Sequence, residues 1–584
     1  MENQLGNVEI YPPSPSPRPL PAADRSPGML FDVHWIIILV QFIVILALVL
    51  GLFAFFLTRS EQPSTYSTRT YQNFELQTIS PSSSPLTFRR RYKTTSESPE
   101  NIDFDFSEDV EPTVETITTS SSTTQLSASQ SKVLESESVN SVEVSEHEEN
   151  LRAAVFTVSQ TCSEIGKSIL VRGGNAVDAA IAASFCLMGA VPNKASLAGG
   201  MVMAVRAAGG NVSTVMAGES TPMNTNIEQL QKNPEMTRRG SKASGTPGVL
   251  NGLFRAFQKY SSGRIQWKHL LLPTTQQCVR GFELSDDLRS VSKTPALASF
   301  FRANQQGDKL FCSSLAATLT EISEYENPLD LFYHGEMAQK LVKELNGYLT
   351  VSDLEDYESD LNSAICVDID TETKLCGPGP PSLFAVLSNT YFVSKNMSNL
   401  EKVNEMVRSS VGLAAKIGDP MFVKSSKKYA EDLAKTSKRS SAEMKDTAVN
   451  FKEDGSTEVL VIDENNMTAS VTLSIGDDFG SLIYSTSGFF WNNKLRYFDL
   501  KNENVPLSLQ PGKVPTSLVS PIIITKNNSV LAVSGGTDML GLVHLLRHIT
   551  HRNYDASKVA PSLFLQNSAI SLKSPSNKYS ITGY

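Results

Sequence analysis

The stretch Gly455-Ser456-Thr457-Glu458 places hydroxyl side chains between a glycine turn and the strand-like run Val459-Leu460-Val461-Ile462-Asp463. Serine and threonine hydroxyls become nucleophiles when an adjacent base takes their proton. Ser456 and Thr457 both qualify by type, and the ordinary alternative is a surface turn without chemistry. The other reactive groupings are weaker. His544, His548 and His551 fall at i, i+4 and i+7, a spacing that can hold zinc, but no acidic residue joins them as in an HExxH motif. A helix face of solvated histidines is expected there, with no metal and no cofactor. Gly173-Gly174 and Gly199-Gly200 lack a following Gly-Lys-Ser/Thr and read as packing turns, not phosphate loops. Asp477-Asp478 reads as a solvated turn in preference to a cation site.

These residues must be held by regular elements. Cys162–Leu170 is amphipathic with a helical period and is ended by Gly173-Gly174. Asn175-Ala-Val-Asp-Ala-Ala-Ile-Ala-Ala183 begins a second helix, whose small residues suit close packing. Leu197-Ala-Gly-Gly-Met-Val-Met-Ala-Val205 leaves a glycine turn and enters a strand. Helices dominate from 226 to 345 and again over 393–435. Strands are expected at 459–463, 467–474, 482–487, 520–526 and 530–534, and a helix at 538–549 after Gly535-Gly536. Paired strands flanked by helices give a layered α/β (α+β) body.

Outside that body the chain changes character. Residues 1–34 are proline-rich and polar and read as a disordered cytoplasmic tail. Residues 35–57 carry a single polar side chain, Gln41, and are long enough as a helix to span roughly 30 Å of hydrocarbon. The segment starts too late and runs too long for a signal peptide, so it reads as an uncleaved transmembrane anchor. Residues 58–150 are rich in Ser, Thr and Glu and read as a disordered stalk. Basic residues flank the span on both sides and do not orient it. The sequons at Asn211, Asn396, Asn466 and Asn527 all follow it, which favours an extracellular C-terminal body, a type II plasma-membrane protein. A net charge of −9 argues against nucleic acid as a partner. The six cysteines form no CxxC pair, so some are expected to form disulfides whose pairing stays open.

From about Ala153 to about Leu572 the chain resembles the γ-glutamyltransferase (glutathione hydrolase) family of N-terminal-nucleophile hydrolases. The likeness is carried by Cys162-Ser-Glu-Ile-Gly166, Arg172-Gly-Gly-Asn-Ala-Val-Asp-Ala-Ala, Leu197-Ala-Gly-Gly-Met201, Gly245-Thr-Pro-Gly-Val249, Gln266-Trp-Lys-His-Leu270, Phe332-Tyr-His-Gly335, Leu349–Tyr357, Gly418-Asp-Pro-Met-Phe422, Asn492-Asn493 and Gln510-Pro-Gly-Lys513. The resemblance implies a four-layer αββα sandwich and a Cys162–Cys186 disulfide. It implies self-cleavage into a large part (151–455) and a small part (456–584), held together as a heterodimer of the chain's own fragments. The freed α-amino group would serve as the nucleophile's base. The hydroxyl would attack glutathione or another γ-glutamyl compound, and the resulting acyl-enzyme would pass to water or an amine. Backbone N–H groups of Gly535 and Gly536 would form the oxyanion hole. Counting back without gaps from Phe479-Gly480-Ser481 puts the nucleophile on Ser456; a one-residue gap puts it on Thr457.

Several positions depart from the family's pattern. Its substrate-clamping arginine reads Gly218, before Glu219. Its glutamate and aspartate after Asn-Asn read Lys494 and Tyr497. Its serine pair reads Ser517-Leu518, and its Thr-x-Asn reads Ser474-Ile475-Gly476. Glu219, Ser474 and Ser517 remain as substrate-contact candidates, and Arg238 or Arg239 as candidates to replace the lost cation. Each lost charged contact costs on the order of 1.5–3 kcal/mol, so activity on a γ-glutamyl zwitterion is expected to be weak or absent. The alternatives are a catalytically inactive cell-surface interaction protein and an amidohydrolase with a different donor.

Overall fold

The computed structural model describes residues 152–437, 452–550 and the strand segments 564–567, 570–571 and 580–583. Residues 1–151, where a tail, an anchor at 35–57 and a stalk are expected from sequence, and His551 lie outside the described residues. Among the described residues no helix is long and apolar enough to cross a membrane.

Two antiparallel sheets form the frame of an α+β body. The seven-stranded sheet runs in the order Ser580–Gly583, Ala154–Thr157, Gly455–Ile462, Thr468–Gly476, Gly200–Arg206, Val212–Ala217, Asp360–Ser363. The six-stranded sheet runs Ile570–Ser571, Phe564–Asn567, Ser529–Ser534, Ile522–Lys526, Thr373–Gly377, Ile365–Asp368. All of these strand pairs are antiparallel, which decides between the α/β and α+β readings.

Side-chain alternation assigns the layers, because successive residues of a strand point to opposite faces. On the strand Gly455–Ile462, Val459 and Val461 join the cluster shared with the helices Gln160–Val171, Ala176–Ala190 and Val249–Tyr260. Leu460 and Ile462 instead meet Ile523, Val530 and Val533 of the second sheet. Ile522, Ile524 and Ala532 turn the other way, onto Phe384–Ser394, Leu400–Ser410, Ser426–Lys435 and Met539–Thr550. Helices therefore cover the outer faces and a thin apolar seam joins the sheets.

Local sequence explains the anchoring elements. Asn175 caps the N–H groups of Val177 and Asp178, while the Asp178 carboxylate accepts the Asn175 N–H. Every residue of Ala176–Ala190 is buried, which its many alanines allow at close range. Cys162 and Cys186 are bonded across the first two helices. Cys278–Cys312 and Cys366–Cys376 complete three bridges among the described residues, two of which were open in the sequence.

Three expectations need correction. Residues 482–487 do not form a strand; only Tyr484 bridges Phe490. Positive φ at Phe479, Gly480 and Leu482 bends the chain, and its aromatic rings pack with Phe300 instead. The strands Asp360–Ser363, Ile365–Asp368 and Thr373–Gly377 were not anticipated. Finally, His544 is not solvated: it is buried and its Nε2 lies 2.9 Å from Asn404 Oδ1, because helices cover that face. No group of three metal-ligating side chains occurs among the described residues.

Candidate active site

The strand Gly455–Ile462 is central in its sheet, and its first hydroxyl faces the seam between the sheets. Ser456 shares parity with Leu460 and Ile462, whereas Thr457 shares it with Val459 and Val461 beneath the helices. A register irregularity between Gly455 and Ser456 marks where the chain enters the ladder, with Ser456 opposite Ser474. Thr457 is fully buried and its Oγ1 has no hydrogen-bond partner. Ser456 is half-buried, and its Oγ lies 2.8 Å from Thr537 Oγ1 and donates to the Glu453 carbonyl at 3.2 Å.

Thr537 arrives on the turn that leaves Ser529–Ser534 through Gly535 and Gly536. Gly536 has φ +123°, and a Cβ there would stand 2.7 Å from Glu458 Oε1. Glycine is thus favoured by the backbone conformation, and a Cβ would in addition displace the Glu458 carboxylate. The Gly536 N–H donates to Thr472 Oγ1 at 3.1 Å, so in the uncut chain this N–H is already engaged. Burial pushes the neighbouring Glu458 carboxyl up to about 7, against the opposing pull of Lys194.

Beside Ser456 lies a buried carboxylate that the sequence reading missed. Glu453 accepts from Lys494 Nζ at 2.7 Å, Ser517 Oγ at 2.8 Å, the Leu518 N–H at 2.9 Å and Ser474 Oγ at 3.2 Å. Both partners of the Glu453–Lys494 ion pair are excluded from solvent. Its only signal in sequence was an acidic residue three positions before the hydroxyl. Lys494 is therefore not a bare repulsive charge. Tyr497, also buried, donates its hydroxyl to the Lys452 carbonyl at 2.8 Å. The two replaced positions after Asn492-Asn493 thus both hold the segment 452–453 in place.

These groups border a cavity of about 410 Å³ lined by Gly218, Glu219, Ser474, Lys494, Ser517 and others. Glu219 is 3% exposed and its Oε1 has no partner. Burial raises its carboxyl to about 7, while Lys494 pulls the other way. Among the described residues Lys494 is the one cation in the lining; Arg238 pairs with Glu235, and Arg239 donates to the Gly480 carbonyl, so neither replaces an arginine at position 218. The Gly218 carbonyl accepts the Tyr357 hydroxyl at 2.7 Å, and a Cβ at 218 would press on Val514 Cγ1 at 2.8 Å. The lining also carries the exposed Asp356, Glu358 and Asp360 and the buried Asp419, which accepts the Met421 and Val514 N–H groups. Asp477 is not a free turn residue: it pairs with Arg496 and accepts from Asn493 Nδ2 at 3.0 Å.

A family model described as Gamma-glutamyltranspeptidase matches residues 162–540. Glutathione hydrolase 2 of Arabidopsis thaliana is 27% identical over 468 residues, 71% of this chain and 80% of that protein. The glutathione hydrolase proenzyme of Escherichia coli is 27% identical over 435 residues, 65% of this chain and 74% of that one. Among solved structures, a cephalosporin acylase from Bacillus halodurans aligns with a TM-score of 0.54 at 19% identity, covering 65% of this chain and 76% of its own. At that identity it speaks for the fold alone.

Proposed function

Because the chain belongs to the gamma-glutamyltranspeptidase family, we propose that it is an amide-cleaving acyl-transfer hydrolase with Ser456 as nucleophile, formed by self-cleavage of the Gly455–Ser456 bond. The observation that carries this is the meeting of the Ser456 and Thr537 hydroxyls directly after Gly535-Gly536, on the seam side of the central strand. Cleavage would free the Ser456 α-amino group, whose ordinary pKa near 8 suits a base at neutral pH. Gly535 and Gly536 would then turn an N–H toward the oxyanion. In outline this is the family's four-layer αββα N-terminal-nucleophile architecture.

In this reading the donor is an acyl amide, with glutathione and γ-glutamyl compounds handled poorly. Gly218 supplies no clamp, and Lys494 stands where an ammonium would have to sit. The body would be extracellular, anchored through 35–57 and glycosylated at Asn211, Asn396, Asn466 and Asn527, all of which are solvent-exposed. A reducing gel with N-terminal sequencing tests the nucleophile: a small fragment starting at Ser456 is expected, and one starting at Thr457 would move the assignment. Release of p-nitroaniline from γ-glutamyl-p-nitroanilide tests the activity, with little or none expected.

A second reading is an uncut chain acting as a cell-surface interaction protein. The sealed Glu453–Lys494 pair favours it, since it fills the site in the intact chain. A single chain that survives long incubation of the purified ectodomain would establish it.

A further inference from the structure

We propose that the position held by Glu453 is a carboxylate subsite, and that the donor it accepts is the monoamide of a five-carbon diacid without an α-ammonium group. The inference rests on the reading of Ser456 as nucleophile and adds the substrate class.

The chain itself supplies the occupant. From the Glu453 carbonyl carbon, three carbons lead to its side-chain carboxylate. The carbonyl oxygen accepts from Ser456 Oγ at 3.2 Å and from Thr537 Oγ1 at 3.0 Å. The carboxylate at the other end is held by Lys494, Ser517, the Leu518 N–H and Ser474. A five-carbon diacid unit thus already spans from the nucleophile to a buried cation. A glutaryl group has this same spacing. So does a γ-glutamyl group, but it adds an ammonium on the carbon next to the carboxylate. In Glu453 that carbon is a methylene, and Lys494 Nζ lies 2.7 Å from the carboxylate it bears. An ammonium there would face the Lys494 ammonium at close range, in competition for the same carboxylate. Glu219 is a second carboxylate that Lys494 acts on, but the ion pair of Lys494 is with Glu453, whose place the donor carboxylate would take. The exposed acidic residues of the lining, Asp356, Glu358 and Asp360, favour a neutral or cationic remainder of the donor.

Cutting the Gly455–Ser456 bond removes the covalent tie on the C-terminal side of Glu453, and in this proposal the donor carboxylate then displaces the Glu453 carboxylate from the same partners. Ser456 Oγ then forms an ester with the acyl carbon as its C–N bond breaks. The hydroxyl proton passes through the freed amino group to the leaving amine. Water hydrolyses the ester, releasing the diacid and restoring the hydroxyl.

The test has two arms. On cut protein, p-nitroaniline release is compared for glutaryl- and γ-glutamyl-p-nitroanilide. The glutaryl compound is expected to give a kcat/KM higher by about tenfold or more; equal or inverted values overturn the proposal. The second arm needs no cleavage and so separates failure of the subsite from failure of Ser456. Glu453→Ala removes the end methylene and carboxylate and leaves the residue 453 main chain in place, so the space it opens in the intact chain takes a two-carbon acid. Acetate at about 10 mM should raise the melting temperature of this variant, but not of the wild type or of Glu453→Ala/Lys494→Met. Glycine, which adds an ammonium on the carbon next to the carboxylate, should do so less. If Glu453→Ala does not fold unaided, it is refolded with each acid: recovery with acetate alone supports the subsite, and recovery with neither or with both overturns it.

Discussion

At the residue scale, two adjacent hydroxyls differ because the strand sends them to opposite faces. Ser456→Ala should leave the chain whole on a gel. Thr457→Val should leave processing intact and be neutral or stabilising by up to about 1 kcal/mol in urea, because it removes a buried hydroxyl that has no partner. Thr457→Val that blocks cleavage would transfer the role to Thr457. Sequence named both candidates and favoured Ser456 only through an ungapped count from Phe479-Gly480-Ser481; the face each hydroxyl takes needs the ladder to be known. Lys494 shows the opposite lesson. Its type announced a lost contact, yet its partner Glu453 lay 41 positions away and could not be inferred from spacing. Lys494→Met would strand the Glu453 carboxylate and should cost the intact chain about 3–5 kcal/mol, whereas Lys494→Met with Glu453→Gln should recover most of it. Equilibrium unfolding of the two variants decides this. Glu219 adds a pH dependence. Its folded pKa, raised to about 7, lies above the unfolded value, so the folded state binds the extra proton and loses stability as pH rises from about 4.5 through 7. Glu219→Gln should therefore be near neutral at pH 4 and stabilising by about 1–3 kcal/mol at pH 8. An equal effect at both pH values would remove Glu219 as the source.

At the element scale, the glycines that made the sequence legible prove to be points of close approach. A Cβ on Gly455 would lie 2.2 Å from the Asp477 carbonyl oxygen, which is backbone and cannot rotate away. Gly455→Ala should therefore displace the entry to the strand and slow or abolish processing without removing any reactive group, as the ratio of whole to cut chain over time would reveal. Helices and strands with clear period were readable: the first two helices, the strands around 459 and 468, and the hairpin at 522–534 fall where their patterns put them. The failures have physical causes. The strand Asp360–Ser363 lies at the edge of its sheet with all four positions exposed or half-exposed and little apolar alternation. Residues 482–487 have strand-like composition, but left-handed residues at 479, 480 and 482 reverse the chain. The helix Met539–Thr550 was placed correctly, and its histidine face misjudged, because which neighbours cover a helix is not written in its own period.

At the scale of the whole molecule, a cut before Ser456 would not divide the body into two domains. In the first sheet, Ala154–Thr157 from the large part is bonded on one side to Ser580–Gly583 and on the other to residues 459–462, both of the small part. Thr468–Gly476, again from the small part, then pairs with Gly200–Arg206 of the large. The second sheet joins Ile522–Lys526 to Thr373–Gly377 in the same way. Backbone ladders and the buried clusters thus cross the boundary repeatedly, and the Cys162–Cys186, Cys278–Cys312 and Cys366–Cys376 bridges all lie within the large part. Separating the fragments would unzip central strands and expose most of the core, a cost comparable to unfolding the body. Processed protein should therefore elute from a sizing column as one particle carrying both fragments, with or without reductant, and part into two only in strong denaturant. Fragments that separate under native conditions would mean that the central hairpin is not integral to the sheet.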